Sequence, residues 1–221
     1  MHIEPGIVTG AKLALSYATA AAAGAYGLRL AFQTAQEKGW TSLALRSVLT
    51  TALVFVFFEV LPHYPVGVSE VHFILGSTLF LLFGAAPAAI GLALGLLTQG
   101  LLFAPFDLPQ YGMNMTTLLV PLFGLSALAN RIIAPGTAYV DLRYGQALAL
   151  STAYQGGVVA WVAFWAILGQ GVAGIEGVAT FGVAYMTVIL IEPLVDLAVL
   201  AVAKSMRSLQ GSALVTPRLF A

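Results

Sequence analysis

The chain has no cysteine and very little charge: only 8% of its 221 residues are Asp, Glu, Lys or Arg, nine of each sign, and the formal net charge is zero. Without cysteine there are no disulfides, thiolate-bound haem or sulfur-ligated zinc. Any metal must be held by imidazole, carboxylate, amide, or main-chain nitrogen and oxygen. The balanced charge leaves no basic surface to neutralise phosphates, so a nucleic-acid partner is excluded. There is no Gly-x-x-x-x-Gly-Lys-Ser/Thr nucleotide loop and no Gly-x-Ser-x-Gly elbow, which removes an internal ATP motor and a serine hydrolase. The stretch "SEVH" lacks the His-Glu-x-x-His spacing, so an intramembrane enzyme would have only His63, Glu70 and His72 with which to imitate a metallohydrolase.

Hydrophobic residues, in contrast, make up 60% of the chain. A soluble domain carries about 25% charged residues; long apolar runs at this low charge density indicate an all-α polytopic membrane protein. Runs of spanning length predict seven helices, at 8–32, 43–61, 70–85, 87–104, 114–134, 146–169 and 178–203. The third and fourth are separated only by "GAAPA" and read as a tight hairpin or a re-entrant pair. Breaks such as "LPHYPVGVSE" and "APFDLPQYG" carry the Gly, Pro and polar residues of turns. Residues 1–221 form one membrane domain, with an N-terminal segment at 1–7 and a tail at 204–221.

The distribution of Lys and Arg predicts orientation. With the C-terminus cytoplasmic, where Lys204, Arg207 and Arg218 lie, seven spans place the N-terminus outside, and every basic residue except Lys12 falls on the inner side. Glu4, Glu59, Glu70, Asp107 and Glu176 gather near the outer face. Positive charge follows the first apolar run instead of preceding it, which argues against a cleaved signal peptide. The chain is expected to be a multi-pass protein of the cell (inner) membrane, in contact with lipid.

The three histidines, His2, His63 and His72, all fall on the outer side in this topology. In "MHIEPG", a free α-amine followed by histidine offers three consecutive nitrogens: the Met1 amine, the His2 main-chain nitrogen and the His2 imidazole. The first two close a five-membered chelate ring, and the amide nitrogen with Nδ1 closes a six-membered one. Planar nitrogen coordination suits Ni(II) or Cu(II), and low-spin Co(II) adopts it too. One in-plane position remains, and His72, at the predicted start of helix three, is the natural donor for it. Plainer readings stand beside this one. His2 is otherwise a frayed, solvated end, His72 a helix-end histidine bonded to a carbonyl, and His63 an interfacial loop residue. Glu4, Glu70 and Asp107 read as a cation-attracting rim or as groups that orient an imidazole.

"MHIEPG" resembles the "MHIPDG" start of the CbiM/NikM family, the substrate-capturing S components of energy-coupling-factor transporters for cobalt and nickel. "VGVSEVHFILGSTLFLLFGAAPAAIGLALGLLTQGLLF" resembles that family's Gly-Thr-Ser-x-His helix and the small-residue helix after it. "YGMNM", with Asn114, is similar to its Asn-containing loop, and "VILIEPLVD", with Glu192, to its last helix. The resemblance implies a seven-helix fold and capture of Co(II) or Ni(II) as transported substrate. It also implies ligation by Met1, His2 and His72, with Asn114 holding the N-terminal segment or its loop. Partners are implied as well: a transmembrane coupling subunit, two cytoplasmic ATPases and a small accessory membrane protein. The chain departs from the family where Glu4-Pro5 replaces Pro-Asp and where "PHYPVG" inserts His63.

Helix one carries Ala14, Ala18 and Ala22 at four-residue spacing, a small-residue stripe that permits close helix approach and offers a docking face. Gly91 and Gly95 repeat the pattern on helix four and read more simply as internal packing. Glu192 and Asp196, one turn apart in a predicted span, are expected to make buried polar contacts. The alternative to transport is a non-transporting membrane protein that senses or assembles.

Overall fold

The computed structural model describes residues 2–205. Seven α-helices occur among them: α1 (Ala11–Lys38), α2 (Trp40–Phe55), α3 (Gly76–Phe83), α4 (Ala85–Leu102), α5 (Tyr111–Ile132), α6 (Tyr144–Gln170) and α7 (Ile175–Ser205). A π-helical turn, Val56–Val60, prolongs α2, and a short 3-10 turn, Pro105–Gln110, leads into α5. Four segments are long and apolar enough to cross a membrane: Trp40–Val60, Ala85–Leu102, Pro105–Ile132 and Tyr144–Ser205, the last containing both α6 and α7. Helix α1 has 28 residues but, rich in alanine, is not among them. The outer faces of the helices, α1 included, expose residues such as Leu28, Val183, Leu190 and Leu194, a surface suited to lipid.

The third predicted helix requires correction. The run expected to be helical from residue 70 contains α3 for only eight residues, well short of the roughly 20 needed to span a bilayer. Ahead of it, β1 (Tyr64–Val66) and β2 (Ser69–Val71) form an antiparallel hairpin, with Tyr64 opposite Val71 and Val66 opposite Ser69. Its two-residue turn begins with Gly67 at φ 65°, the order that suits a type II′ turn. A methyl group at Gly67 would also lie 2.3 Å from the Gly177 carbonyl oxygen, so the hairpin tip sits directly on the backbone of α7. Most of the hairpin falls in "LPHYPVGVSE", read from the sequence as a break, and strands of three residues are too short to show an alternating period there. His72 therefore does not open helix three; it lies in the extended link between β2 and α3.

Other boundaries shift for local reasons. Helix α1 continues to Lys38 through good helix formers and stops at Gly39, whose N–H bonds to the Ala35 carbonyl at 2.9 Å with φ 85°. Gly84, at φ 93°, is the single residue between α3 and α4, so Pro87 falls in the first turn of α4, where its missing N–H is harmless. Lys204, expected to begin the tail, still belongs to α7, and its Nζ donates to the Val140 carbonyl at 2.8 Å. Arg207, Arg218 and the rest of that tail lie outside the described residues.

Close helix packing follows from the small residues. Gly91 and Gly95 bring α4 against α2: added methyls would fall 2.4 Å from Thr50 Oγ1 and 2.5 Å from Val54 Cγ1. Thr50 Oγ1 donates to the Pro87 carbonyl at 2.7 Å across the same interface. Ala14, Ala18 and Ala22 are exposed, while Ser16, Ala20 and Ala23 form the buried side of α1. Leu75, immediately before α3, is the one described non-glycine residue with positive φ (53°), a conformation costing about 1–2 kcal/mol.

Gly76 makes the closest side-chain approach in this region, where a methyl would sit 2.3 Å from Tyr154 Cε1. Tyr154 is fully buried and has no room to retreat. Gly76→Ala is expected to destabilise the protein by about 1–3 kcal/mol, read as a lower melting temperature in detergent. Gly124→Ala, whose added methyl meets nothing within 4 Å, should leave it equal or higher because alanine favours helix.

Candidate metal centre

Residues 2–4 lie along β2 as a short additional strand. The Glu70 N–H donates to the His2 carbonyl at 3.0 Å, and the Glu4 N–H donates to the Val68 carbonyl at 3.1 Å. Ser69 Oγ donates to the same His2 oxygen at 2.9 Å, and the Ile3 N–H donates to Asn114 Oδ1 at 2.8 Å. Asn114 thus lies on α5, as the predicted helix at 114–134 places it and not in the loop that the family likeness implied, and it grips the N-terminal segment from the helix face. Ile3 is fully buried with Val8, Met113 and Trp165, and an isoleucine buried to this extent contributes about 2 kcal/mol. Gly169 of α6 admits the segment, since a methyl there would lie 2.2 Å from the Ile7 carbonyl oxygen.

This docking carries His2 inside, where it is 3% exposed, next to His72 at 2%. Donor atoms of His2, Glu70 and His72 lie within 4.8 Å of one another. Donors sharing one ion at bonds of about 2.0–2.2 Å sit slightly closer than this, so a small inward movement would let one ion contact all three. The two imidazole centroids are 5.7 Å apart. Phe58, fully buried, walls the site, with its ring centroid 4.6 Å from that of His72 and 6.2 Å from that of His2. No feature of the sequence marks Phe58 out from the other aromatics of its span.

Hydrogen bonds specify which imidazole nitrogens are available. His72 Nδ1 faces the Phe73 carbonyl at 3.1 Å. A carbonyl only accepts, so Nδ1 carries the proton and Nε2 keeps its lone pair. His72 Nε2 is buried without a hydrogen-bond partner among the described residues, the state of a nitrogen ready to coordinate. His2 Nδ1 donates to Glu70 Oε2 at 2.6 Å, with Asp107 Oδ2 at 3.7 Å. Nδ1 is the atom that a chelate with the main-chain nitrogen would use, so that chelate requires Nδ1 to exchange Glu70 for the ion. Asp107, expected on a solvated rim, is 6% exposed. Together with His2, Tyr111 and Asn114 it lines a small cavity with room for about one water.

Other expected site residues fall outside the cluster. His63 is half-buried and its Nδ1 faces the Leu61 carbonyl at 3.3 Å. Glu4 binds the hairpin through its main chain, and burial raises its carboxyl pKa, helped by the charge of Glu70. Met1, the expected source of the α-amine, lies outside the described residues.

Burial lowers the His2 pKa below its ordinary 6.5, against the opposing pull of the Glu70 hydrogen bond. Burial works to raise Glu70, but its contact with His2 outweighs that and holds it below 4.5. In both cases the unfolded or undocked form binds protons more readily, so docking is strongest above these ordinary values and is lost as pH falls through them. Asp107 acts in the opposite sense, its pKa raised to about 6 by burial and by the charges of Glu70 and Glu4. Hydrogen-exchange protection of the Ile3 amide, corrected for intrinsic rate, is therefore expected to fall on the acid side as His2 and Glu70 take up protons, but less steeply than those two groups alone would give. In Glu70→Gln the lower part of that decline should disappear.

The profile of the CbiM family, described as the cobalt uptake substrate-specific transmembrane region, matches residues 2–209. The fold is similar to the crystal structure of a transition metal transporter, at 16% identity over 97% of this chain and 96% of that one, with a TM-score of 0.71. It is also similar to that of a truncated transition metal transporter, at 16% identity over 93% and 97% of the two chains, with a TM-score of 0.66. No curated protein matches the chain at a significant level. Matched over nearly its whole length, this multi-pass membrane protein belongs to the CbiM family of cobalt uptake substrate-specific components, a family of transport rather than catalysis.

Proposed function

We propose that the protein captures Co(II) at the outer membrane face using the Met1 α-amine, the main-chain nitrogen and Nδ1 of His2, and Nε2 of His72. The observation that carries this reading is the meeting of His2, Glu70 and His72 at one buried point, reached only because the N-terminal segment docks on β2. On binding, His2 would turn from Glu70 to the ion: its ring proton moves from Nδ1 to Nε2 by exchange with water, which frees the Nδ1 lone pair, and the protons of the Met1 amine and the His2 main-chain nitrogen are released to solvent. The Glu70 carboxylate, next to the departing nitrogen, accepts charge from the new centre or joins it as an oxygen donor. A carboxylate in the set would add an oxygen donor outside the plane of the nitrogens.

The chain contains no nucleotide loop, so energy comes from partners: a transmembrane coupling subunit and two cytoplasmic ATPases, with a small accessory membrane subunit. The exposed stripe Ala14, Ala18 and Ala22 is the proposed coupling face, because small residues allow close backbone approach within lipid. The topology that accompanies this reading has seven spans, an exoplasmic N-terminus and a cytoplasmic C-terminus, with 1–7 as the metal-binding segment and 204–221 as an inner tail.

Calorimetry with Co(II) and Ni(II) tests the ligand set on protein with its native start and on protein extended by two N-terminal residues. The extension, His2→Ala and His72→Ala are each expected to weaken Co(II) binding at least about 100-fold, and His63→Ala to leave it unchanged. Native-start affinity should rise with pH up to about 8, the ordinary range of an α-amine. Equal binding by native and extended protein would remove the amine from the set.

A further inference from the structure

The peptide group between Phe73 and Ile74 is bonded on both sides. Its carbonyl accepts His72 Nδ1–H at 3.1 Å, and its N–H donates to Glu192 Oε1. Glu192 projects from α7 and is fully buried. Its second oxygen accepts the Leu75 N–H at 3.0 Å and also Gln155 Nε2 of α6. Gln155 is oriented in turn by Tyr185, whose hydroxyl donates to Gln155 Oε1 at 2.6 Å. One turn further along α7, Asp196 accepts the Ser77 and Thr78 hydroxyls, fastening α3 itself instead of the link that carries His72.

We infer that Glu192 is a positioning residue for the His72 donor, acting through the Phe73–Ile74 peptide to fix the tautomer and ring direction that leave Nε2 free for the ion. This rests on the metal-capture reading for its use, but not for its geometry. An amide whose N–H is given to a carboxyl group has a more electron-rich carbonyl, so it is a stronger acceptor for Nδ1–H. A strong acceptor at Nδ1 selects the Nδ1–H tautomer and makes Nε2 the more basic donor. Leu75 is held in the left-handed region with its N–H on the same carboxyl, so the link cannot relax without releasing both bonds. The consequence is mechanical as well as electronic: His72 is tied to α6 and α7 by hydrogen bonds that run through Glu192.

The test uses full-length protein in nanodiscs with 15N-labelled histidine. Two readouts are taken: the ring-nitrogen shifts of His72 in metal-free protein, and the Kd for Co(II). Glu192→Gln replaces one accepting oxygen by an NH2 group facing N–H donors. It is expected to convert His72 from a single Nδ1–H tautomer to a mixture and to raise the Kd about 10–100-fold. Asp196→Asn serves as the control for stability alone; it should lower the melting temperature while leaving the His72 tautomer and the Kd near wild type. Should Glu192→Gln not fold, Gln155→Met removes one bond from the same carboxyl and should give a smaller tautomer shift and a smaller loss of affinity. An unchanged His72 tautomer in these variants overturns the inference, as does equal weakening of Co(II) binding by Glu192→Gln and Asp196→Asn. If the wild-type protein fails to bind Co(II), the capture reading falls, and the tautomer readout still decides whether Glu192 orients His72.

Discussion

Two main-chain hydrogen bonds between the N-terminal segment and the hairpin, Glu70 N–H to His2 and Glu4 N–H to Val68, are the contacts on which the site depends. They add a third short strand to an edge that would otherwise present unpaired backbone groups. His2 is thereby placed in a register fixed by the pairing. One residue of slip would turn Ile3 toward His72 and carry His2 to the opposite face. The buried set of Ile3, Val8, Met113 and Trp165 makes that slip costly, because an isoleucine would leave its pocket and an imidazole would enter it. The candidate site is therefore assembled by folding the N-terminal segment inward, and its side chains come from segments nearly seventy residues apart in sequence.

Beneath that site lies a second layer of polar groups in an apolar surround. Glu192, Gln155, Tyr185, Asp196, Ser77 and Thr78 are each mostly or wholly buried, and each has a hydrogen-bond partner. Unpaired polar groups would be expensive in such surroundings, so the network holds α3 to α6 and α7 with directional bonds where side-chain packing alone would permit sliding. It also explains how so short a helix as α3 keeps a defined position, since the N–H groups of Ile74 and Leu75 just ahead of it and the hydroxyls of Ser77 and Thr78 in its first turn are taken up by carboxyl groups of α7. In the layer above, His72 Nε2 is buried without a hydrogen-bond partner, as are Asn114 Nδ2 and a few other described side-chain atoms, and it is the nitrogen proposed to meet the ion.

Much of this was legible in residue types and their spacing. The apolar runs located the long helices because a membrane permits few alternatives to them. The Gly91 and Gly95 pair read correctly as internal packing. "MHIEPG" drew attention to His2 as a donor, and His2 does lie beside His72 in the folded chain. The hairpin was hidden because "LPHYPVGVSE" carries the Pro, Gly and polar residues of a turn, and its two three-residue strands are too short to show an alternating period. Asn114 drew notice through a family likeness, but its bond to the Ile3 N–H spans 111 positions, and no local pattern encodes such a contact. Glu192 stood out as a carboxyl group in a predicted span, yet its attachment to the peptide next to His72 is not a property of α7.

The sequence by itself determined the medium and the chemistry: too few charges for a soluble surface, no sulfur ligands, and an N-terminal histidine able to chelate. Those features are intrinsic to the residues and independent of where the chain goes. Tertiary structure alone decided that Glu70 and not His63 joins His2 and His72, that His2 Nδ1 is held by a carboxylate, and that Nε2 of His72 is the free atom. Each of these rests on hydrogen-bond partners brought together by strand register and helix packing, and distance in space is not written in distance along the chain.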